Sequence, residues 1–265
     1  MKTVLITGCS TGIGLALTKE FLKYGTQYLV FATARNEEDL EMLHRLGAQA
    51  IKLDVTSSSE IDTCVRTVLM RTQQIDILIN NAGVAYTGPL IDQPMSEIET
   101  MYRTNVLGPI ELTQKVVPAM ISQRSGLIIN ISSVSSVVPI PYFGHYAATK
   151  AALTNYSEEL RRELRPFDIE VVNVLAGAVE SNLLSNDLSV ERYQKSKYYN
   201  AMVEFQKSSN GKKFMSAETF AATLVNKVIQ QKLTPSYYLG SYTTLYRVLS
   251  YFSRWILDRF FPIKV

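Results

Sequence analysis

The chain has 265 residues, of which 46% are hydrophobic and 19% charged, as in an ordinary globular protein. Its net charge of +3 and its lack of a block of Lys and Arg argue against nucleic acid as a partner. Two lone cysteines, Cys9 and Cys64, predict neither a disulfide framework nor a metal site. The five-residue apolar run in the opening MKTVLITG is too short for the apolar region of a signal peptide, and we expect no membrane-spanning helix, because no apolar run is long enough.

Short runs of Val, Ile and Leu alternate with longer helical patterns along the chain. Strands are predicted at 3–7, 28–33, 50–53, 75–80, 127–131 and 169–175, and helices at 12–24, 59–72, 97–122 and 147–164. Nearly continuous apolar strands are typical of a parallel sheet buried on both faces. The pattern therefore predicts an α/β fold: a Rossmann-type, doubly wound parallel sheet with helices on both faces, forming one domain over 1–265.

The first predicted turn, TGCSTGIG, is rich in glycine. Gly8, Gly12 and Gly14 lie between a buried strand and a helix, which is the setting of a dinucleotide-binding loop. Glycines let the backbone turn sharply and approach a pyrophosphate, and the helix N-terminus offers free N–H groups to it. The spacing G-x-x-x-G-x-G differs from the common G-x-G-x-x-G fingerprint.

The end of the second predicted strand bears on the choice of dinucleotide. An acidic residue about 20 positions after the loop would bind the ribose 2′-hydroxyl of NAD. That count reaches Ala34, and the next residue is Arg35. Because a guanidinium suits a 2′-phosphate, the sequence predicts NADP(H) as the cofactor.

Two Tyr–Lys pairs have the i, i+4 spacing that places both side chains on one helical face. Tyr146 and Lys150 lie in HYAATK, and Tyr193 and Lys197 lie in YQKSK. The spacing alone does not separate them. Tyr146 begins a long predicted helix and has Ser133 thirteen residues before it, whereas position 180 is Glu180.

These motifs together resemble the short-chain dehydrogenase/reductase family over residues 1–180. The matching segments are TGxxxGIG at 7–14, LDVT with Asp54, NNAG at 80–83, TNVLG with Asn105, ISSVSS with Ser133, and Tyr146 with Lys150. The thirteen-residue spacing from Ser to Tyr in the family selects Ser133 over Ser132. In place of the family's PGxVxT, positions 176–181 read AGAVES, which is expected to loosen the turn slightly.

The resemblance implies a role for each of these residues. Tyr146 would donate a proton to a carbonyl, Ser133 would orient that carbonyl, Lys150 would favour the phenolate and hold the nicotinamide ribose, and Asn105 would support a proton relay. Tyr146 and Ser133 would thus contact the substrate. The cofactor-binding set is Gly8, Ser10, Thr11, Gly12, Ile13, Gly14, Arg35, Asp54, Val55, Asn81, Tyr146, Lys150, Val179 and Ser181.

Two segments lie outside this pattern. The polar and basic stretch 185–217 follows the last predicted strand, so it is either a lid over the substrate or a solvated helical excursion. Residues 241–263 have apolar residues at spacings of three and four, with Arg among aromatic residues, which predicts an amphipathic helix. Such a helix suits a membrane interface, and the alternative is a dimer interface or a substrate pocket.

The apolar C-terminal segment, the strand end FATAR and the AGAVES departure together look most like NADPH-dependent 1-acyldihydroxyacetone-phosphate reductases. The 17β-hydroxysteroid and retinol dehydrogenases are close rivals. This resemblance implies a lipid-like ketone as substrate and the cytoplasmic face of the endoplasmic reticulum or a lipid droplet as location, with the cytosol as the alternative. A protein of another class, a membrane-associated NADP(H)-binding module without turnover, would share the binding loop. The Ser133, Tyr146 and Lys150 set favours the enzyme.

Overall fold

A parallel β-sheet organises the described part of the chain. The computed structural model describes residues 1–181, 183, 190–209, 213–252, 255 and 257. Within them the sheet has seven strands in the order β3-β2-β1-β4-β5-β6-β7, all parallel. The strands are β1 (Lys2–Ile6), β2 (Tyr28–Ala34), β3 (Gln49–Lys52), β4 (Ile77–Asn80), β5 (Gly126–Ser133), β6 (Ile169–Ala176) and β7 (Ser236–Leu239).

Helices cover both faces of this sheet. They are α1 (Gly12–Leu22), α2 (Glu37–Arg45), α3 (Ser58–Thr72), α4 (Met95–Tyr102), α5 (Gly108–Gln123), α6 (Gly144–Leu164), α7 (Tyr199–Ser209), α8 (Ala217–Ile229) and α9 (Thr243–Leu249). One apolar core joins the sheet to α1, α2 and α8. A second core joins the opposite face to α3, α5 and α6. The predicted doubly wound α/β fold is confirmed.

The six predicted strands are present, with ends that differ by at most two residues. The seventh strand was missed because its sequence, SYYL, is only half-buried and lacks an apolar run. The predicted helix 97–122 is divided between α4 and α5. A π-helical turn, Arg103–Leu107, separates them and inserts one extra residue per turn.

The prediction of one continuous helix over 241–263 is wrong. Helix α9 ends at Leu249, and residues 250–252 form a turn in which the Ser250 hydroxyl donates to the carbonyl of Arg247. Serine side chains compete in this way with helical backbone bonding. The chain is helical again at Trp255 and Leu257, while 253, 254, 256 and 258–263 lie outside the described residues.

The basic stretch 185–217 is structured over most of its described length. A short 3₁₀ turn, Val190–Tyr193, is followed by α7, and the start of α8 closes the stretch. Residues 185–189 and 210–212 lie outside the described part. The segment 190–209 carries its own small apolar core of Val190, Tyr193 and Met202 packed on Tyr142, so it is more than a solvated excursion.

Candidate active site

The strand order reverses between β1 and β4, because the chain builds β2 and β3 on one side of β1 and then crosses to β4 on the other side. In such sheets, ligands bind at the carboxyl ends of the strands beside this point. Gly8 has a φ of +69°, a conformation that favours glycine. The Asn81 amide holds the loop by donating to the carbonyls of Thr7 at 2.8 Å and Gly8 at 3.0 Å. A Cβ on Gly14 would collide with the Gly8 carbonyl, so this loop closes only around glycine.

The loop runs directly into the N-terminus of α1. The N-cap residue, Thr11, makes no side-chain cap hydrogen bond, and the first turn contains no acidic residue. The N–H groups of Gly12 and Ile13 are therefore available to an anion, and the helix dipole favours one. Ser10 is half-buried beside them, and a Cβ on Gly12 would lie 3.0 Å from Ser181 Cβ. The site thus fits the pyrophosphate of a dinucleotide.

Residues at the ends of β2 and β3 flank this loop. Arg35 is exposed immediately after β2. The acids that follow, Glu37, Glu38 and Asp39, form the first turn of α2, where they complement its dipole. Asp54 is half-buried after β3, and its carboxylate accepts from the N–H and hydroxyl of Thr56 at 2.9 and 2.8 Å.

Val55 is buried where α5 meets the β3 end. A Cβ on Gly108 would lie 3.0 Å from Val55 Cβ, so the first residue of α5 packs directly on it. Asp54 and Val55 thus present a carboxylate and an apolar surface side by side, a combination that fits the polar edge and the flat face of a purine.

Tyr146 lies in the first turn of α6, facing the carboxyl end of β5. Its hydroxyl shares a hydrogen bond with Ser133, the last residue of β5. Burial raises the pKa of Tyr146 to about 12, and the bond with Ser133 acts in the opposite direction. The phenol is therefore held in its protonated form, as a proton donor must be.

The neighbouring Ser132 points to the other side of the strand. Its hydroxyl donates to the Lys150 carbonyl at 3.1 Å and shares a hydrogen bond with Thr154 at 2.8 Å. The Ser133 hydroxyl instead accepts from the N–H of Ser135 at 3.1 Å and from its hydroxyl at 2.9 Å. Because strand side chains alternate, only one of the two serines can reach Tyr146.

Lys150 lies one turn after Tyr146, and its ammonium is 5.8 Å from the centre of the Tyr146 ring. Lys150 Nζ donates to the Ile131 carbonyl at 2.8 Å. Burial lowers the pKa of Lys150 to about 8. The expected lowering of the phenol pKa beside Lys150 is not seen, because desolvation by burial is the largest cause of its shift and raises it.

Asn105 lies in the π-helical turn and is fully buried. Its amide accepts from the Val84 N–H at 2.9 Å and donates to the Val84 carbonyl at 2.8 Å and to Thr149 Oγ1 at 3.1 Å. A Cβ on Gly83 would lie 3.3 Å from Asn105 Oδ1 and 3.6 Å from Lys150 Nζ. The structure thus brings Asn105 and Lys150 to the same glycine.

The segment after β6 completes the edge, and Val179 is buried there. Ala178 exchanges two backbone hydrogen bonds with Ser241, and Met215 donates its N–H to the Ala178 carbonyl while accepting from Glu180. The loosening expected from Ala176 in place of proline is therefore offset, because neighbouring chain holds this turn from two sides.

A set of apolar side chains near Tyr146 was not identified from the sequence. Tyr146 shares a buried cluster with Val84, Ala85, Tyr86, Met101, Phe143 and Leu183. The Phe143 ring lies edge-on to the Tyr146 ring, at 6.5 Å between centres. These residues come from helix α4 and from three separate loops, so no periodic pattern marks them. Among the described residues, no group of three or more His, Cys, Asp or Glu could hold a metal ion.

Comparison with known proteins places these features in a family. The family model described as short chain dehydrogenase matches residues 2–191. A short-chain dehydrogenase of Aspergillus ruber is 34% identical over 95% of this chain and 88% of the relative. The NADPH-dependent 1-acyldihydroxyacetone phosphate reductase of Schizosaccharomyces pombe is 38% identical over 71% of this chain and 63% of the relative.

Solved structures show the same relationship. A short-chain dehydrogenase from Streptomyces avermitilis has a TM-score of 0.81 at 30% identity, covering 93% of this chain and 90% of that chain. Serine dehydrogenase, solved in a closed form with NADP+, has a TM-score of 0.78 at 26% identity, and the match covers 91% of this chain and 95% of that chain. The chain is an oxidoreductase and belongs to the short-chain dehydrogenase family.

Proposed function

We propose that this protein is an NADPH-dependent reductase of a lipid-like ketone, and that it converts 1-acyldihydroxyacetone phosphate to 1-acylglycerol 3-phosphate. The observation that carries the proposal is the convergence of Ser133, Tyr146 and Lys150 beside a dinucleotide-type loop. The apolar cluster around Tyr146 supplies the lipid-like preference.

The proton steps follow from the chain's own groups. When bound, NADPH supplies a hydride to the carbonyl carbon. Tyr146 donates its phenolic proton to the carbonyl oxygen, which becomes the product hydroxyl, and Ser133 orients that oxygen by a hydrogen bond. The Lys150 cation stabilises the phenolate that remains until a proton returns. Asn105, which meets Lys150 at Gly83, supports the route by which that proton arrives.

The cofactor choice is supported by Arg35 and by the solved neighbours. The exposed guanidinium follows β2, where the adenine ribose of a dinucleotide lies in Rossmann-type sheets. Serine dehydrogenase holds NADP+, and an actinorhodin polyketide ketoreductase at 26% identity and a TM-score of 0.75 holds NADPH. Val179 and Ser181 are proposed to contact the nicotinamide end.

The choice of substrate is supported by the printed name of the Schizosaccharomyces pombe relative and by the apolar cluster. The basic lid contributes less than its composition suggests. Arg192 is paired with Glu97, and Lys207 is paired with Glu204. Lys195 and Lys197 are exposed, and we propose that they attract the substrate phosphate.

The function is tested by following NADPH oxidation with 1-acyldihydroxyacetone phosphate, retinal and a 17-ketosteroid. We expect turnover of the first, and a loss on the order of 10²- to 10⁴-fold in kcat for Tyr146→Phe with NADPH binding retained. Tyr193→Phe, from the pair with the same spacing, is the matched control and should keep its rate. An unchanged rate in Tyr146→Phe would refute the assignment of the proton donor.

The same panel separates the alternatives. Turnover of retinal or a 17-ketosteroid without the acyl phosphate would make the protein a retinol or 17β-hydroxysteroid dehydrogenase. NADPH binding with no turnover on any substrate would make it a membrane-associated binding module.

We propose the cytoplasmic face of the endoplasmic reticulum or a lipid droplet as the location, with the cytosol as the alternative. No described helix is both long enough and apolar enough to cross a membrane. A homodimer is also proposed, because Met95, Tyr102 and Leu107 expose apolar surface on and after α4. Cell fractionation and the sedimentation mass of the purified protein test the two proposals separately.

A further inference from the structure

The C-terminal part of the described chain exposes a cluster of large apolar side chains. We call them the C-terminal apolar face: Tyr242, Leu245, Val248, Tyr251, Phe252 and Trp255. Their exposed fractions run from 41% for Tyr242 to 81% for Tyr251. Single exposed apolar residues are ordinary, but six of them within fourteen residues of the chain indicate a surface that binds something.

The segment that carries this face is firmly attached on its other side. Leu249 and Leu257 are buried against Val138, with Val137 and Tyr246 packed around them. Ser241 is paired with Ala178, and Gly240 lies against Gly177. The outward apolar residues are therefore presented by an anchored segment.

These contacts place the face at the carboxyl edge of the sheet, which we call the catalytic edge because Ser133 and Tyr146 lie there. Val137 and Val138 follow the turn that begins at Ser133, and Gly177 and Ala178 follow β6. A surface bound at the C-terminal apolar face would thus lie near the carboxyl edge of the sheet, where Ser133 and Tyr146 lie.

The net charge of the C-terminal segment indicates what kind of surface this face binds. Residues 241–265 contain Arg247, Arg254, Arg259 and Lys264 against one acid, Asp258, a net charge of +3. The whole chain also has a net charge of +3, so residues 1–240 are neutral overall. A second copy of this segment would be repelled, whereas an anionic surface would be attracted.

We infer that the C-terminal apolar face docks on an anionic lipid surface, with its Tyr, Phe and Trp side chains in the headgroup region and the catalytic edge turned toward the lipid. Aromatic residues are enriched at this depth, and neighbouring basic residues add attraction to anionic headgroups. The delivery of an acyl substrate from that surface rests on the proposed function, but the docking does not.

The test measures sedimentation of the full-length protein with vesicles of phosphatidylcholine alone or with phosphatidylserine. At low salt we expect binding to the anionic vesicles to be tighter on the order of 100-fold, given three net positive charges. The double variant Tyr251→Ser, Trp255→Ser should bind them at least about tenfold more weakly. Met70→Ser, which changes an apolar residue on α3 that is 71% exposed, is the matched control and should bind as the unaltered protein does.

Three results would overturn the inference. The double variant could bind anionic vesicles as tightly as the unaltered protein, or the unaltered protein could bind neutral and anionic vesicles equally. The third result is a concentration-dependent dimer that forms in the unaltered protein and in Met70→Ser but not in the double variant. Turnover of a short, water-soluble ketone should be the same in the unaltered protein and both variants. If turnover of 1-acyldihydroxyacetone phosphate is absent while vesicle binding behaves as expected, the proposed function fails and the docking surface stands.

Discussion

At the scale of single residues, Lys150 is a buried ionisable group whose titration affects stability. Its pKa is lowered to about 8 from an ordinary 10.5 by burial. Below pH 8 the folded protein keeps a cation away from water, and only the carbonyl of Ile131 and nearby polar groups compensate it. The residue proposed to serve catalysis is therefore expected to destabilise the fold at neutral pH.

The variant Lys150→Met should differ from the unaltered protein in how its unfolding free energy depends on pH. Between pH 8 and 10.5 the unfolded chain binds more protons at Lys150 than the folded protein, so folding stability rises with pH. The unfolding free energy of the unaltered protein should gain about 3 kcal/mol over the variant across that range. Urea unfolding at several pH values measures the difference, and parallel pH dependence in the two proteins would contradict it.

Arg35 governs the proposed choice between NADPH and NADH. Replacing it with Ala removes a charge-assisted contact to a 2′-phosphate, so KM for NADPH should rise roughly 10- to 100-fold while KM for NADH changes little. Arg45→Ala, which removes an exposed guanidinium from the end of α2, is the matched control. Equal effects of Arg35→Ala on both cofactors would sink the 2′-phosphate assignment.

Sequence reasoning was strongest where chemistry restricts spacing. The Ser133–Tyr146 interval brought together two residues that share a hydrogen bond, and the glycine loop closes as expected. The second pair, Tyr193 and Lys197, differs in surroundings: Tyr193 is buried against Gly88, and Lys197 is exposed. The apolar wall around Tyr146 was unpredictable, because tertiary packing alone gathers residues from separate loops.

At the scale of elements, a buried polar row fixes helix α6 on the sheet. Asn80, Asn130 and Asn173 lie side by side on β4, β5 and β6. Asn130 accepts from Asn80 at 2.8 Å and donates to Ser157, while Asn173 donates to Thr154 at 3.3 Å. Since Thr154 also bonds Ser132, which bonds the Lys150 carbonyl, this row sets the position of Lys150 along the strands.

Thr154→Val tests this positioning role. The change removes one hydroxyl from the row, so we expect a stability loss of about 1–3 kcal/mol. Because Lys150 and Tyr146 share α6, kcat should also fall about tenfold while NADPH affinity is kept. The matched change Thr113→Val removes a partner of Asn80 on α5 and should cost stability without lowering kcat. Equal kcat losses in the two variants would mean that Thr154 is only structural.

Element boundaries depended on side-chain contacts that a sequence pattern does not contain. The periodic stretch 97–122 predicted one helix, yet Asn105 bonds both backbone groups of Val84 from within a π-helical turn. In residues 241–263, the apolar residues keep their spacing of three and four beyond the turn at Ser250, although helix α9 ends there. Both interruptions occur where a local hydrogen bond or tertiary contact competes with helical backbone bonding.

At the scale of the whole molecule, several functional features lie along one edge of the sheet. The glycine loop, Tyr146 and the turn after β6 lie at the carboxyl ends of the strands, and the C-terminal segment packs beside them. The segment 190–209, the proposed lid, packs there too, through Tyr142. The proposed lid and the C-terminal apolar face therefore both pack at the edge where Tyr146 lies.

Polar contacts join this proposed lid to α4 and to the loop before it. Arg192 pairs with Glu97, and the Ser196 hydroxyl donates to Asp92 at 2.5 Å. The Arg192 guanidinium also lies over the Tyr193 ring, 5.1 Å from its centre. Opening of the proposed lid would break the contacts with Glu97 and Asp92, so their strength would set how often the edge is accessible.

Glu97→Gln should raise the population of the open lid. The ion pair with Arg192 is mostly shielded from water, so its loss should cost roughly 1 kcal/mol of closure, about a fivefold change. Trypsin cleavage after Lys195 and Lys197 should accelerate by that factor, because it follows the open population when closing is fast. Glu204→Gln breaks an exposed pair within α7 and should leave cleavage unchanged. If both variants are cleaved at the rate of the unaltered protein, the Glu97 pair does not hold the lid.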